Sequence, residues 1–242
     1  MRIPRLYEPD VHQPGQQFHL NDNAFQHAVK ALRMQNGQSL ELINGRDNGY
    51  YAATLLEVSK KQALIEVHSF HPLDNESPLR VHLGQSLSRG ERMDYAIQKA
   101  TELGVATITP LFSERCEVKL NAERQDKRQQ HWQQVVISAC EQCLRPLIPP
   151  VQSPQNLADW CASVEAELKL VLHHRTPARL SSLAKPASVA LLIGPEGGLS
   201  EAEIELAEQH GFIAMALGPR VLRTETAPVA ALSILQHLWG DA

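Results

Sequence analysis

The chain has 242 residues, 43% hydrophobic and 21% charged, with a formal net charge of −4. That is an ordinary soluble composition, long enough for one large or two modest domains, and it advertises no global positive field for nucleic acid. The longest apolar runs, such as VALLI at 189–193, are too short to cross a bilayer, and MRIPRLYEPD has no apolar stretch after its positive charge. No membrane partner and no secretory signal are therefore expected, and a cytoplasmic location is the default.

The first part reads as β-rich. A short helix is expected at 23–33, with Asn21 and Asp22 as caps, ending before the turn signal Asn36-Gly37. SLELI, YYAATLLEV and ALIEVHSF follow as strands, separated by NGRDNG and SKKQ. Together they suit a small barrel or sheet of about 70 residues. HPLDNESP (71–78), polar and with two prolines, reads as a linker.

The rhythm then changes. RVHLGQSL predicts a strand, and RMDYAIQKATEL a helix with Met93, Ile97 and Leu103 at helical spacing. VATITPLF is a second strand. Residues 122–144 form a long helical pattern with Trp132, Val135, Val136 and Ala139 on one face. Three further strands are LKLVLHH, SVALLIG and FIAMALG. Ser200 and Glu203 form a capping box before a helix at 201–210, and a last helix runs from about 227 to 239 with Pro228 in its first turn. Alternating strands and helices imply an α/β fold with a mostly parallel sheet.

In such sheets ligands sit at the carboxyl ends of strands. HHRTP, GPEGG and GPRVLRTETA end three successive strands, so these turns either merely terminate strands or wrap a ligand. Neither GxGxxG nor GxxxxGK[ST] occurs, which removes the dinucleotide fingerprint and the phosphate loop. Glycine-rich backbone suits a neutral purine edge better than a triphosphate. Metal chemistry has little behind it: His173 and His174 would point to opposite faces of a strand, and Cys140-x-x-Cys143 lacks a partner motif. Several arginines lie at segment ends, where solvation and a phosphate-rich substrate are both open readings.

SRGERMDYAIQKATELGV, LFSERCEVKL, ACEQCLR, LLIGPEGGLSEAE and LGPRVLRTETA, with MRIPRLY and HAVKALRMQNGQ near the start, resemble the RsmE-type 16S rRNA (uridine-N3)-methyltransferases of the SPOUT class over essentially the whole chain. The resemblance implies a PUA-like RNA-binding β-barrel at 1–72. A SPOUT methyltransferase domain with a C-terminal trefoil knot would follow at 73–242, a knot that general topology rules would not predict. It further implies a homodimer acting on 16S rRNA in the small subunit or a late precursor, with S-adenosyl-L-methionine as cofactor.

Carried over residue by residue, the cofactor would meet Leu172, His173, Gly194, Pro195, Glu196, Leu217, Gly218, Leu222, Thr226 and Ala227. Arg145, Arg223 and Glu196 would serve catalysis, and Arg2, Arg5, Arg33 and Arg89 the RNA. Leu144 stands where the family commonly has glycine before the motif arginine, and Pro146 follows it. A SPOUT enzyme acting on another RNA position or a ribose 2′-hydroxyl, a dinucleotide-dependent oxidoreductase and a non-catalytic ribosome-assembly factor are the competing functions.

Overall fold

The computed structural model describes residues 3–118, 121–173, 180 and 183–242. Its contacts divide the chain into two units. One holds residues up to Glu76 together with Ile137–Ile148, and the other holds Ser77–Val136 and Pro149–Ala242.

The first unit is a five-stranded sheet in the order β1-β3-β4-β5-β2. The strands are β1 (Arg5–Tyr7), β2 (Gln17–His19), β3 (Ser39–Ile43), β4 (Gly49–Val58) and β5 (Ala63–Pro72). β1 runs parallel to β3, and the other pairs are antiparallel. The alternation in GYYAATL sends Tyr51, Ala53 and Leu55 inward against Leu40, Leu42, Ile65 and Val67, all but fully buried. Burying each such leucine or isoleucine contributes about 2 kcal/mol.

Three expectations need correction here. The helix expected at 23–33 is one α-turn, α1 (Asp22–Phe25), continued as a π-helical turn over Gln26–Ala31. Asn21 alone is its cap, accepting from Ala24 N at 2.9 Å, and Asp22 is already helical. The wider turn, closed by Leu32 N to His27 O at 3.0 Å, buries Ala28 beside Ala24 and Phe25 of α1 and leaves Leu32 exposed. Finally, β5 runs through His71 and Pro72, the first two residues of the segment read as a linker.

The second unit carries a six-stranded sheet, parallel at every pairing, ordered β11-β9-β10-β6-β7-β8. The strands are β6 (Arg80–Ser86), β7 (Thr107–Phe112), β8 (Gln155–Asn156), β9 (Leu168–Leu172), β10 (Ser188–Ile193) and β11 (Phe212–Met215). Its helices are α2 (Glu91–Glu102), the first part of α3 (Ala122–Cys143), α4 (Leu157–Ser163), α5 (Glu201–Gln209) and α6 (Thr226–Trp239). Val189 to Ile193 are buried without alternation, as expected of a central parallel strand covered on both faces. Among the described residues no helix is long and apolar enough to cross a membrane.

Sheet order now decides where the marked loops lie. β9 sits between β11 and β10, so the carboxyl ends of these three strands lie side by side at one edge. β6 and β7 continue the row, adding the loops that carry Arg89 and Arg115.

Candidate functional site

The end of β9, at Leu172 and His173, and the loops after β10 and β11 line a cavity of about 620 Å³, within the range of small-molecule sites. Of the cofactor residues inferred from sequence, Leu172, His173, Gly194, Pro195, Glu196, Leu217, Gly218, Leu222 and Ala227 line it. Thr226 does not. It opens α6, its N–H bonded to Arg223 O at 3.0 Å and its side chain toward solvent. Ile193, Ala216 and Leu222 give it an apolar lining, and residues 194–199 and 216–218 form much of its wall.

These loops hold their shape through specific bonds. Gly218 has φ +82°, a left-handed conformation that costs other residues strain. Thr224 Oγ1 donates to Gly194 O at 2.8 Å and accepts from Gln85 Nε2 at 3.1 Å. With Gln85 fully buried and Thr224 nearly so, one hydroxyl ties the 216–227 loop to the start of GPEGG and to the end of β6. The Ser200–Glu203 capping box forms as expected. Glu203 also accepts the N–H of Glu114 at 2.8 Å, which draws the loop after β7 toward α5. Arg115 then lies against Gly197, where an added Cβ would come within 3.2 Å of Arg115 Cβ. Its Nη1 donates to Gly197 O at 3.2 Å and to Leu199 O at 3.4 Å.

At the mouth, Glu196 Oε1 accepts the backbone N–H of Arg89 at 3.2 Å and Arg92 Nη1 at 3.0 Å. Desolvation would raise this carboxyl, but its own N–H, that of Arg89 and the Arg92 guanidinium outweigh it and hold it below the usual carboxylate range. A base working near neutral pH needs the opposite shift. Arg223 is exposed on the cavity wall, and its carbonyl takes the N–H groups of Thr226 and Ala227 as α6 begins. Arg89 pairs with Glu117, Nε to Oε2 at 2.9 Å.

The remaining candidates belong to the first unit. Arg145 is 6% exposed, its Nη2 2.6 Å from Glu76 Oε2. Arg5 is also buried. It binds Glu41 Oε2 at 2.7 Å and Leu144 O at 2.6 Å, and stacks over Tyr50. Arg33 is exposed at φ +56° just past the π-helical turn. Arg2 and His174 lie outside the described residues. Cys140 is buried, its thiol pushed well up by desolvation, and donates to Leu147 O at 3.6 Å. Sequence reasoning passed over Arg92, Arg115, Gln85 and Thr224, none of which sits in a spacing that marks it.

A parallel α/β sheet with a cavity at its carboxyl edge, joined to a small β unit, is the layout of a two-part RNA-modifying methyltransferase. Residues 75–236 match the RNA methyltransferase domain family, and residues 20–67 match the RNA methyltransferase PUA domain. The ribosomal RNA small subunit methyltransferase E of Buchnera aphidicola subsp. Schizaphis graminum is 41% identical over 242 residues, covering 99% of this chain and 98% of its own. A protein of Legionella pneumophila, solved in complex with the bound cofactor SAM, is similar at TM-score 0.97 and 45% identity, with 100% of both chains covered. The ribosomal RNA small subunit methyltransferase E of Neisseria gonorrhoeae, bound to S-adenosyl methionine, gives TM-score 0.92 and 39% identity over 99% of each chain. The chain belongs to the ribosomal RNA small subunit methyltransferase E family.

Proposed function

We propose that this chain transfers a methyl group from S-adenosylmethionine to N3 of a specific uridine in 16S rRNA. It would act in the cytoplasm as a homodimer on the small subunit or a late precursor. The observation that carries the reading is the cavity at the carboxyl ends of β9, β10 and β11, in a chain of this family. Its apolar lining from Ile193, Ala216 and Leu222 suits the adenine ring of the cofactor. The homodimer reading is supported by apolar side chains left in solvent, Val221 at 91% exposure on the cavity rim and Ile234 and Leu238 along α6. The trefoil knot is what the family implies for the 216–227 loop, which Thr224 ties to Gly194. We assign residues 1–72 to RNA binding, with Arg2 and Arg33 on that side, and 73–242 to catalysis, with Arg89 toward the RNA.

Bound in the cavity, the cofactor supplies a sulfonium methyl as electrophile. The protein must hold N3 in line with it and lower the cost of removing the N3 proton. That proton leaves to solvent water, and its departure puts negative charge on O2 and O4 of the base. We assign its stabilisation to Arg223, whose backbone is fixed by the start of α6 while its guanidinium remains exposed on the wall. Glu196 serves as the anion that fixes Arg92 at the mouth. Arg145, fixed by Glu76, holds its own turn, and Arg5 braces the sheet through Glu41.

Arg223→Ala should lower kcat by about 100-fold. Cofactor affinity by calorimetry should stay within about threefold, under 1 kcal/mol. Full turnover in that variant would remove Arg223 from the chemistry.

A further inference from the structure

Beside the cofactor cavity lies a second recess of about 550 Å³ that no step above uses. Its wall includes Arg89, Arg92, Arg115, Glu117, Glu196 and Gly197, and four of these, Arg92, Arg115, Glu196 and Gly197, also line the cofactor cavity. The two spaces therefore share a wall. We propose that this recess seats a backbone phosphate of the RNA strand next to the target nucleotide, with Glu117 as the internal anion that the phosphate displaces. The inference rests on the RNA methyltransferase reading and deepens it.

Three observations carry it. First, the arginines converge for structural reasons. Glu203 holds the loop after β7 through Glu114 N, Arg115 is fixed on Gly197 and Leu199 by Nη1, and Arg89 and Arg92 flank the N-terminus of α2. A guanidinium has five donors in a planar fork, so Arg115 keeps others beyond Nη1 for a ligand oxygen.

Second, the recess already binds oxyanions. Glu196 Oε1 takes the Arg89 N–H and Arg92 Nη1, and Glu117 Oε2 sits 2.9 Å from Arg89 Nε. This is the donor arrangement a phosphate oxygen needs. Glu91 completes the wall, so three acids balance three arginines and the recess is neutral until an acid is displaced.

Third, displacement is cheap. The side chains of the Arg89–Glu117 pair are 67% and 64% exposed, and exposed ion pairs contribute little to stability. A phosphodiester cannot relax its charge by taking a proton, and with arginine it can form two parallel bonds. An uncharged base attached to it would then reach the cofactor cavity across the shared wall.

The test measures binding of the full-length protein to small subunits assembled on unmodified 16S rRNA, at several salt concentrations, beside calorimetric titration with S-adenosylmethionine. Arg89→Ala and Arg92→Ala should each weaken subunit binding by about fivefold or more and lower the salt slope by about one. Glu117→Gln should tighten subunit binding, because it removes a competing anion. Arg89 and Glu117 lie outside the cofactor cavity, so these two variants should keep cofactor affinity within about twofold. Wild-type affinity and slope in both arginine variants would overturn the proposal. So would a parallel fall in RNA and cofactor affinity for Arg89→Ala, since the recess would then only brace the cofactor loops. Both constants are read without turnover. A wild-type chain that binds subunits as expected but methylates no uridine would count against the reaction and not against the recess.

Discussion

Leu144 shows how one residue can carry a family's geometry without the family's usual side chain. It lies just past the end of α3 at φ +70°, a left-handed conformation that costs an ordinary residue about 1–2 kcal/mol and glycine almost nothing. Its N–H closes the helix on Cys140 O at 2.8 Å, and its carbonyl accepts from Arg5 at 2.6 Å and Asn75 at 2.9 Å. The turn is thus fixed by three bonds to backbone atoms, which outweigh the strain. A glycine commonly found here is a conformational requirement, and leucine meets it at a cost.

His82, on β6, makes a second argument at this scale. Desolvation pulls its imidazole down to about 4, and its Nε2 lies 2.7 Å from Thr109 Oγ1 and accepts from Trp160 Nε1 at 3.4 Å. The folded protein therefore holds it neutral, while the unfolded chain takes up a proton below the ordinary value of 6.5. Its contribution is complete above pH 6.5 and is lost as pH falls toward 4. Through this residue alone the protein should be about 2 kcal/mol less stable at pH 5 than at pH 7. Urea unfolding at both pH values should show that difference in the wild type and a much smaller one in His82→Gln. Equal slopes in the two proteins would contradict it.

Among the elements, the sheet edge does the organising. Five adjacent parallel strands, β11, β9, β10, β6 and β7, bring their carboxyl ends to one side, and Thr224 joins the loops after β10 and β11 to β6 through a single hydroxyl. Thr224→Val leaves Gly194 O and Gln85 Nε2 without that partner in a buried setting, a cost of about 1–3 kcal/mol. The loss should appear as a lower melting temperature and about tenfold weaker cofactor binding. Thr224→Ser, which keeps the hydroxyl, should restore both. A valine variant with wild-type cofactor affinity would show that the clamp does not shape the cavity.

The same topology explains what could be read in the sequence. β3, β4 and β5 announced themselves by alternation, and the buried strands of the second unit by short apolar runs with Gly-Pro ends. β1, β2 and β8 have three residues or fewer, too short to show any period. The π-helical turn at Gln26–Ala31 keeps an apolar spacing close to that of an α-helix, so its hydrogen bonding was hidden. Arg115 and Arg92 lie in an undistinguished loop and a helix start, and only strand order brings them to GPEGG. The two Gly-Pro turns were legible because sharp turns need glycine, whereas Gly194, Leu217 and Gly218 as cofactor residues came from the family resemblance. Gln85 and Thr224 were not, because a lone buried polar residue carries no pattern.

On the scale of the whole molecule, an acidic chain gathers arginine where the loops meet. The net charge is −4, yet Arg89, Arg92, Arg115 and Arg223 gather on the walls of two adjoining cavities. Long-range attraction to RNA should therefore be modest, with recognition depending on short-range guanidinium contacts. Covalent connection also crosses the two units: residues 137–148 close α3 within the first unit, and the chain then returns to the second at Pro149.

The central claim is that this chain places a methyl group on N3 of a uridine in 16S rRNA. Purified protein should be incubated with S-adenosylmethionine and small subunits carrying unmodified 16S rRNA, and the digested nucleosides resolved by mass spectrometry. The account predicts one new 3-methyluridine per 16S rRNA, formed only when cofactor is present. Methylation on a ribose 2′-hydroxyl, on another base position, or not at all would contradict it.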